Sequence, residues 1–197
     1  MLLALFIANS AMAIEEPAYT VLQSNDVYEI REYEPYIVAE VDVDGDARAA
    51  GNSAFRILAG YIFGDNVAQE KMAMTAPVES RKSSSEKMAM TAPVLSTELS
   101  DGYTYAFVME SKYTLDTLPK PNDARIRIRE KPSRVVAVRR FSGTWSDATS
   151  RKHERLLRAA LSDDDVKIVG DLEVARYNSP FSLPFMRRNE VMFAVQT

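Results

Sequence analysis

His153 is the only imidazole in a chain of 197 residues that contains no cysteine. The missing thiols exclude disulfides, thiol nucleophiles, thiolate-held metals and Cys-zinc sites together. One imidazole is too few for a multi-histidine metal centre. A Ser–His–Asp triad would have to recruit it from a helix face, and no G-x-S-x-G turn presents a serine. At about 100° per residue, His153 falls between Leu156, Leu157 and Ala160 on the apolar stripe of its helix. A lone histidine so placed is expected to be a packed, hydrogen-bonded residue, and it is the one candidate for an axial metal ligand.

Met72, Met74, Met88 and Met90 form two Met-x-Met pairs. On strands each pair points to one face, and four thioethers there would suit Cu(I). Core filling is the reading adopted, because methionine is a common packing residue. Asp42, Asp44 and Asp46 imitate the start of a calcium loop, but glycine stands at its fourth place rather than its sixth. Ser53 occupies the twelfth place, where glutamate is needed. The seven glycines include no G-x-G, which removes the usual dinucleotide and P-loop signatures. One connection has the opposite character. Pro180-Phe-Ser-Leu-Pro-Phe185 is unusually apolar, so it covers something or binds something.

The elements that must position these residues repeat. Ile30-Arg-Glu-Tyr-Glu-Pro-Tyr-Ile-Val-Ala-Glu-Val41 returns 98 positions later as Ile128-Arg-Glu-Lys-Pro-Ser-Arg-Val-Val-Ala-Val138, with one residue dropped near the proline. Each stretch is β-branched and reads as a strand. A helix follows each. The first covers about 47–63, with Ala47, Ala50, Ala54, Ile57, Leu58 and Tyr61 at i, i+3, i+4 spacing, capped by Asp44 or Asp46 and ended by Gly64. The second covers about 146–161, with Leu156, Leu157, Ala160 and Leu161 as its stripe and Thr144 or Ser146 as its cap. Strands follow at 72–78, 88–95 and 103–109 in the first half and at 172–177 and 190–195 in the second. The unit is strand–helix–strand–strand, used twice (about residues 20–112 and 124–197) and joined by a proline-containing linker. Two such units close one α+β sheet. A tighter duplication lies inside the first half: Glu70-Lys-Met-Ala-Met-Thr-Ala-Pro-Val78 recurs unchanged as Glu86 to Val94, and the two copies read as a long hairpin.

Composition sets the outer limits. Apolar residues make up 46% and charged residues 26%, the balance of a folded domain rather than of a disordered chain. The net charge of −4 gives nucleic acid nothing to hold. Leu2 to Ala8 followed by Ala11-Met12-Ala13 reads as the end of a signal peptide cleaved after Ala13, so export to the periplasm is expected. Seven apolar residues are too few to span a bilayer, which takes about 20, so no stable membrane insertion is expected after cleavage.

The doubled Lys-Met-Ala-Met-Thr-Ala-Pro-Val, the helix text Phe55-Arg-Ile-Leu-Ala-Gly-Tyr-Ile-Phe-Gly64 and the linker Tyr113 to Asn122 occur in order with Phe141-Ser-Gly-Thr-Trp-Ser146 and the tail Arg176 to Glu190. Together they resemble the SOUL haem-binding family over about residues 17–197. The resemblance implies a distorted antiparallel β-barrel from two strand–helix–strand–strand repeats with two flanking helices. It implies a single domain over 14–197 that acts as a monomer, holds haem or another tetrapyrrole, and is not an enzyme. By the same resemblance the ligand lies in an apolar slot between the first helix (Phe55, Leu58, Tyr61, Ile62) and the last inter-strand loop (Phe181, Leu183, Phe185, Met186). Arg48, Arg56 and Arg187 are the candidate partners of the propionates, and His153 is the candidate axial ligand. Two other readings stay open: an effector-binding or protein-interaction module of the same fold, and a peroxidase-like reaction of bound haem.

Overall fold

The computed structural model describes residues 14–68, 85–179 and 181–196. The proposed signal segment, the strand expected at 72–78 and the first copy of the duplicated motif lie outside them, as does the Arg48 side chain. Before the linker the elements are β1 (Tyr19–Ser24), β2 (Glu29–Tyr33), β3 (Tyr36–Asp44), α1 (Ala47–Ile62), β4 (Asn66–Val67), β5 (Val94–Glu98) and β6 (Gly102–Val108). From the linker onward come β7 (Lys120–Pro121), β8 (Arg127–Lys131), β9 (Arg134–Phe141), α2 (Asp147–Asp163), β10 (Lys167–Ile168), β11 (Glu173–Arg176) and β12 (Asn189–Gln196).

Each β-branched stretch read as one strand is in fact two. The breaks fall at Glu34-Pro35 and Pro132-Ser133, where proline removes a ladder donor and restricts the residue before it. These breaks shape the whole sheet. Its order is β1-β2-β9-β12-β11-β5-β6-β3-β8, with β10 paired to β12. The two-residue links therefore join strands at opposite ends of that order, so the antiparallel sheet must curl until its ends approach. Lys131 of β8 and Arg134 of β9 both reach Glu173 of β11 across the inside of the curl. The fold is α+β, a curled antiparallel half-barrel with two helices.

The repeat is written into the register. Ile30 pairs with Ala137, and Ala39 pairs with Ile128, so the matched residues of each copy exchange partners about a pseudo-twofold axis. Three apolar clusters follow. One lies beneath α1, with Ala50, Ala54, Leu58 and Tyr61 against Val41, Tyr105 and Phe107. A second lies beneath α2, with Leu157 and Leu161 against Ile30 and Phe193. The third fills the curl around Val38, Leu95, Val138, Ala175 and Met192.

Asp46 caps α1 by accepting from the Ala49 amide at 3.0 Å. Gly64, at φ +117°, ends that helix in the left-handed region where a side chain would be strained. Ser146 caps α2 through the Thr149 amide. Leu156, expected on the inner stripe of α2, is exposed, because Leu157 and Leu161 take the buried positions and turn it outward. The strand expected at 88–95 is also corrected: only Val94 and Leu95 join a ladder. Residues 88–93 join no ladder, although the Met88 amide donates to the Ile62 carbonyl and the Ala92 amide to the Glu15 carbonyl, both at 2.9 Å, and Met88 and Met90 pack on the cluster beneath α1. The expected hairpin of like strands thus lacks its second arm. Among the described residues no helix is long and apolar enough to cross a membrane.

Candidate functional site

The candidate site pairs a helix face with a loop whose two ends are clamped. Glu190 of β12 is fully buried and accepts four hydrogen bonds. Arg31 gives two, at 3.0 and 3.3 Å, the Tyr177 hydroxyl gives one at 2.7 Å, and Arg188 Nε gives one at 3.0 Å. Burial, and then the Glu190 charge, push the Tyr177 hydroxyl far above its ordinary range and keep it a donor. Tyr177 begins the loop and Arg188 closes it, joined directly by the bond from the Tyr177 amide to the Arg188 carbonyl at 3.2 Å. The Arg188 guanidinium also lies 3.7 Å from the Tyr177 ring centroid and pairs with Glu16.

Beyond this clamp the chain makes a single 3-10 turn, Pro184–Met186, set by proline at its first position. The Pro184 carbonyl accepts from the Gly143 amide at 3.0 Å, which ties the tip to the start of α2. Trp145 completes the support: its indole donates to Asn189 at 2.8 Å, and the Arg187 guanidinium lies 4.8 Å from its ring. Every apolar side chain of the tip is left outside. Phe181 is 94% exposed, Phe185 73%, Met186 66% and Leu183 55%.

The helix face lies across the same sheet surface. Phe55 of α1 is 45% exposed and packs edge-on against Phe107 at 5.6 Å between centroids. Phe107 pairs with Val94, and Val94 with Arg176, in one row across β6, β5 and β11. At roughly 4.8 Å per strand, the root of the loop stands about 10 Å across the sheet from Phe107. Phe63, exposed and two turns beyond Phe55, continues the apolar face. At Gly60, about 60° around the helix from Phe63 and about 140° from Phe55, an added Cβ would meet nothing within 4 Å, so the helix is open beyond Phe63. Arg56 is exposed and makes no side-chain hydrogen bond or ion pair among the described residues.

Of the residues expected to line the slot, Leu58, Tyr61 and Ile62 face the other way. All three are fully buried in the α1 cluster, and the Tyr61 hydroxyl donates to the Pro119 carbonyl at 2.7 Å. The inner stripe of α1 is used up in holding the helix to the sheet. Arg187 is engaged as well, donating from Nε to the Ser182 carbonyl at 2.9 Å. His153 is on α2, stacked on Phe141 at 4.1 Å, and its Nδ1 accepts from Arg139 Nε at 3.3 Å. Burial, followed by the Arg139 and Lys152 charges, lowers its pKa and favours the neutral ring. With Nδ1 accepting, the ring proton is placed on Nε2, so ligation of a metal by His153 would require the Arg139 contact to give way.

Phe63, Trp145 and Arg176 went unassigned in the sequence reading, although all three lie inside the motifs quoted there. Spacing gives a signal for Phe63, at i+8 from Phe55. The other two owe their roles to a cross-sheet neighbourhood that linear text does not display. Clefts of about 620 and 40 Å³ lie elsewhere, and neither is lined by Phe55 or by the loop tip.

The SOUL heme-binding protein model matches residues 14–194. The chain belongs to the SOUL family. It is 28% identical to human Heme-binding protein 2 over 195 residues, covering 95% of this chain and 88% of that protein. It is 29% identical to Heme-binding protein 1 of Xenopus laevis, covering 84% and 82%. The fold of this SOUL chain is shared with the EcmrR C-terminal domain, at TM-score 0.60 and 10% identity, covering 86% of this chain and 98% of that one. It is also shared with a hydrolase from Listeria innocua, at TM-score 0.56 and 13% identity, covering 89% and 94%. At such identities the two likenesses concern the fold alone.

Proposed function

We propose that this SOUL chain is a non-catalytic haem-binding protein, a carrier or buffer, that holds the macrocycle between the exposed flank of α1 and the clamped 181–186 loop. The observation that carries the reading is the loop tip: four large apolar side chains face solvent on a turn fixed at both ends, beside a helix that exposes Phe55 and Phe63. Exposed apolar surface on a held scaffold is stabilised when a ligand covers it. The residues present fit haem in part. They supply apolar contact on two sides and, among the described residues, an uncommitted cation, Arg56, for a propionate. They supply no free imidazole. Bound haem would bring redox-active iron, held here by contact and charge rather than by a histidine.

Membership of a family described as heme-binding, and relatives named as heme-binding proteins, support the ligand class. The reading takes the protein to be an exported monomer, supported by the Ala11-Met12-Ala13 triplet, with no nucleic-acid partner, supported by the net charge of −4. The same exposed tip favours a second reading, in which the loop docks on a partner protein.

Titration of ferric haem into the chain from Ile14 onward, followed in the Soret region, tests the site. One equivalent is expected to saturate it. Phe185→Ser and Phe55→Ala should each weaken binding about tenfold or more, the worth of one well-buried aromatic contact. His153→Ala should leave it unchanged. Loss of binding in His153→Ala would overturn the geometry, and no saturable binding would leave the docking module as the better reading.

A further inference from the structure

A cleft of about 620 Å³ opens where the segment 15–18, the β2–β3 link and the chain after β6 meet. Its volume lies within the roughly 300–1,000 Å³ of small-molecule sites. Its floor is apolar and aromatic, from Tyr36, Ile37, Val108, Met109 and Tyr113. Its charge has one sign. Glu15, Glu16, Glu34, Glu110, Asp116 and Glu130 line it, and no Lys, Arg or His does.

Three of these carboxylates are matched: Glu15 accepts from the Ser111 amide at 2.6 Å, Glu16 pairs with Arg188, and Glu110 pairs with Lys112. Glu34, Asp116 and Glu130 have no side-chain hydrogen bond or ion pair among the described residues. At the edge of the cleft, outside its lining, Lys112 Nζ lies 4.8 Å from the Tyr113 ring centroid and 3.1 Å from Glu110, so that ring face and that carboxylate are already engaged.

We infer that this cleft binds an amphiphilic organic cation, an ammonium or guanidinium group carrying an aromatic or branched apolar body. The body lies on Tyr36, Ile37 and Met109, where the Tyr36 ring face attracts positive charge. The charge lies among Glu34, Asp116 and Glu130. Among the described residues no three carboxylates converge as metal ligands would, so the rim suits a diffuse organic cation rather than a metal ion. The same rim repels the carboxylates of haem, which makes this a second site, separate from the helix–loop surface.

The probe is rhodamine 6G, a cationic xanthene, with fluorescein as its anionic counterpart, titrated at low ionic strength and followed by fluorescence anisotropy. The cationic dye is expected to saturate at one equivalent and to weaken as salt is added. Binding should weaken about tenfold in Glu34→Gln/Asp116→Asn/Glu130→Gln, three exposed positions whose change leaves the core intact. The triple variant should retain its haem titration, and Phe185→Ser should retain dye binding. Absence of saturable rhodamine binding would overturn the inference, as would equal binding of fluorescein or indifference to the triple variant. Loss of the dye in Phe185→Ser would overturn it too, by moving the dye to the loop.

Discussion

Glu190 is where charge and burial are most tightly joined. A fully buried carboxylate is tolerable only with its acceptor positions filled, and Arg31, Tyr177 and Arg188 fill them. Arg31→Met would remove a guanidinium that is itself buried and leave Glu190 short of two donors. A loss of about 3 kcal/mol is expected, read from the urea midpoint, and because the clamp holds the loop, haem binding should weaken with it. Loss of stability with haem binding intact would separate clamp from loop. Glu173 makes a second, titratable case. Burial works to raise its pKa, but the hydrogen bond from Arg134 and the charge of Lys131 outweigh it and bring it to about 2, below the ordinary 4.5. A carboxylate depressed on folding adds stability that is complete above the unfolded value and is lost as pH falls through the folded one. Thermal denaturation between pH 5 and about 2 should show stability falling over that window, and Glu173→Gln should flatten the fall. An unchanged profile in that variant would assign the acid sensitivity to other carboxylates.

Helix α1 does two jobs with two faces, and the balance between them is testable at Gly60. An interior helical glycine costs roughly 0.5–1 kcal/mol relative to alanine. Since an added Cβ meets nothing there, Gly60→Ala should raise stability by about that amount, measured by denaturant midpoint. Gly60→Leu should fold as well but project a branched side chain over the open flank, and haem should then bind about tenfold more weakly. Equal haem affinity in Gly60→Leu would exclude that flank from the site. What was legible in the sequence divides along the same faces. The apolar text of α1 and of residues 180–185 pointed to the two surfaces from which the proposed site is built, because text that violates the polar rule for surfaces is visible without coordinates. The assignment of Leu58, Tyr61 and Ile62 to the slot missed that the helix needs those side chains for its own attachment. Leu156 misled for a related reason: it sits at the border of the stripe, where one step of 100° separates buried from exposed. The strand breaks at Pro35 and Pro132 were hidden because β-branched residues continue on both sides of each proline.

The offset of 98 positions in the sequence and the exchanged pairs Ile30–Ala137 and Ala39–Ile128 are one fact at two scales. A repeat that pairs with itself through β2–β9, β3–β8 and β5–β11 cannot be cut without stripping strands from both halves. The linker up to Asp123 packs on the first half: Leu118 is buried in the α1 cluster, and the Pro119 carbonyl accepts from Tyr61. A cut after Asp123 is therefore the fairest test of independence. Residues 14–123 would keep α1 on β3 and β6, but β2 would lose its inner neighbour and β5 would become an edge. Residues 124–197 would keep α2 on β9 and β12, with β8 left unpaired. Unpaired strand edges and half-covered clusters do not offset the conformational entropy of folding. Neither fragment is expected to show a cooperative urea transition alone. Mixed at equal concentration, they should recover the circular dichroism of the intact chain together with the fluorescence of Trp145, the sole tryptophan. A cooperative transition in residues 14–123 alone would mean that the half-barrel is two domains side by side, and that the helix–loop site, with Phe55 in one and Phe185 in the other, lies between them.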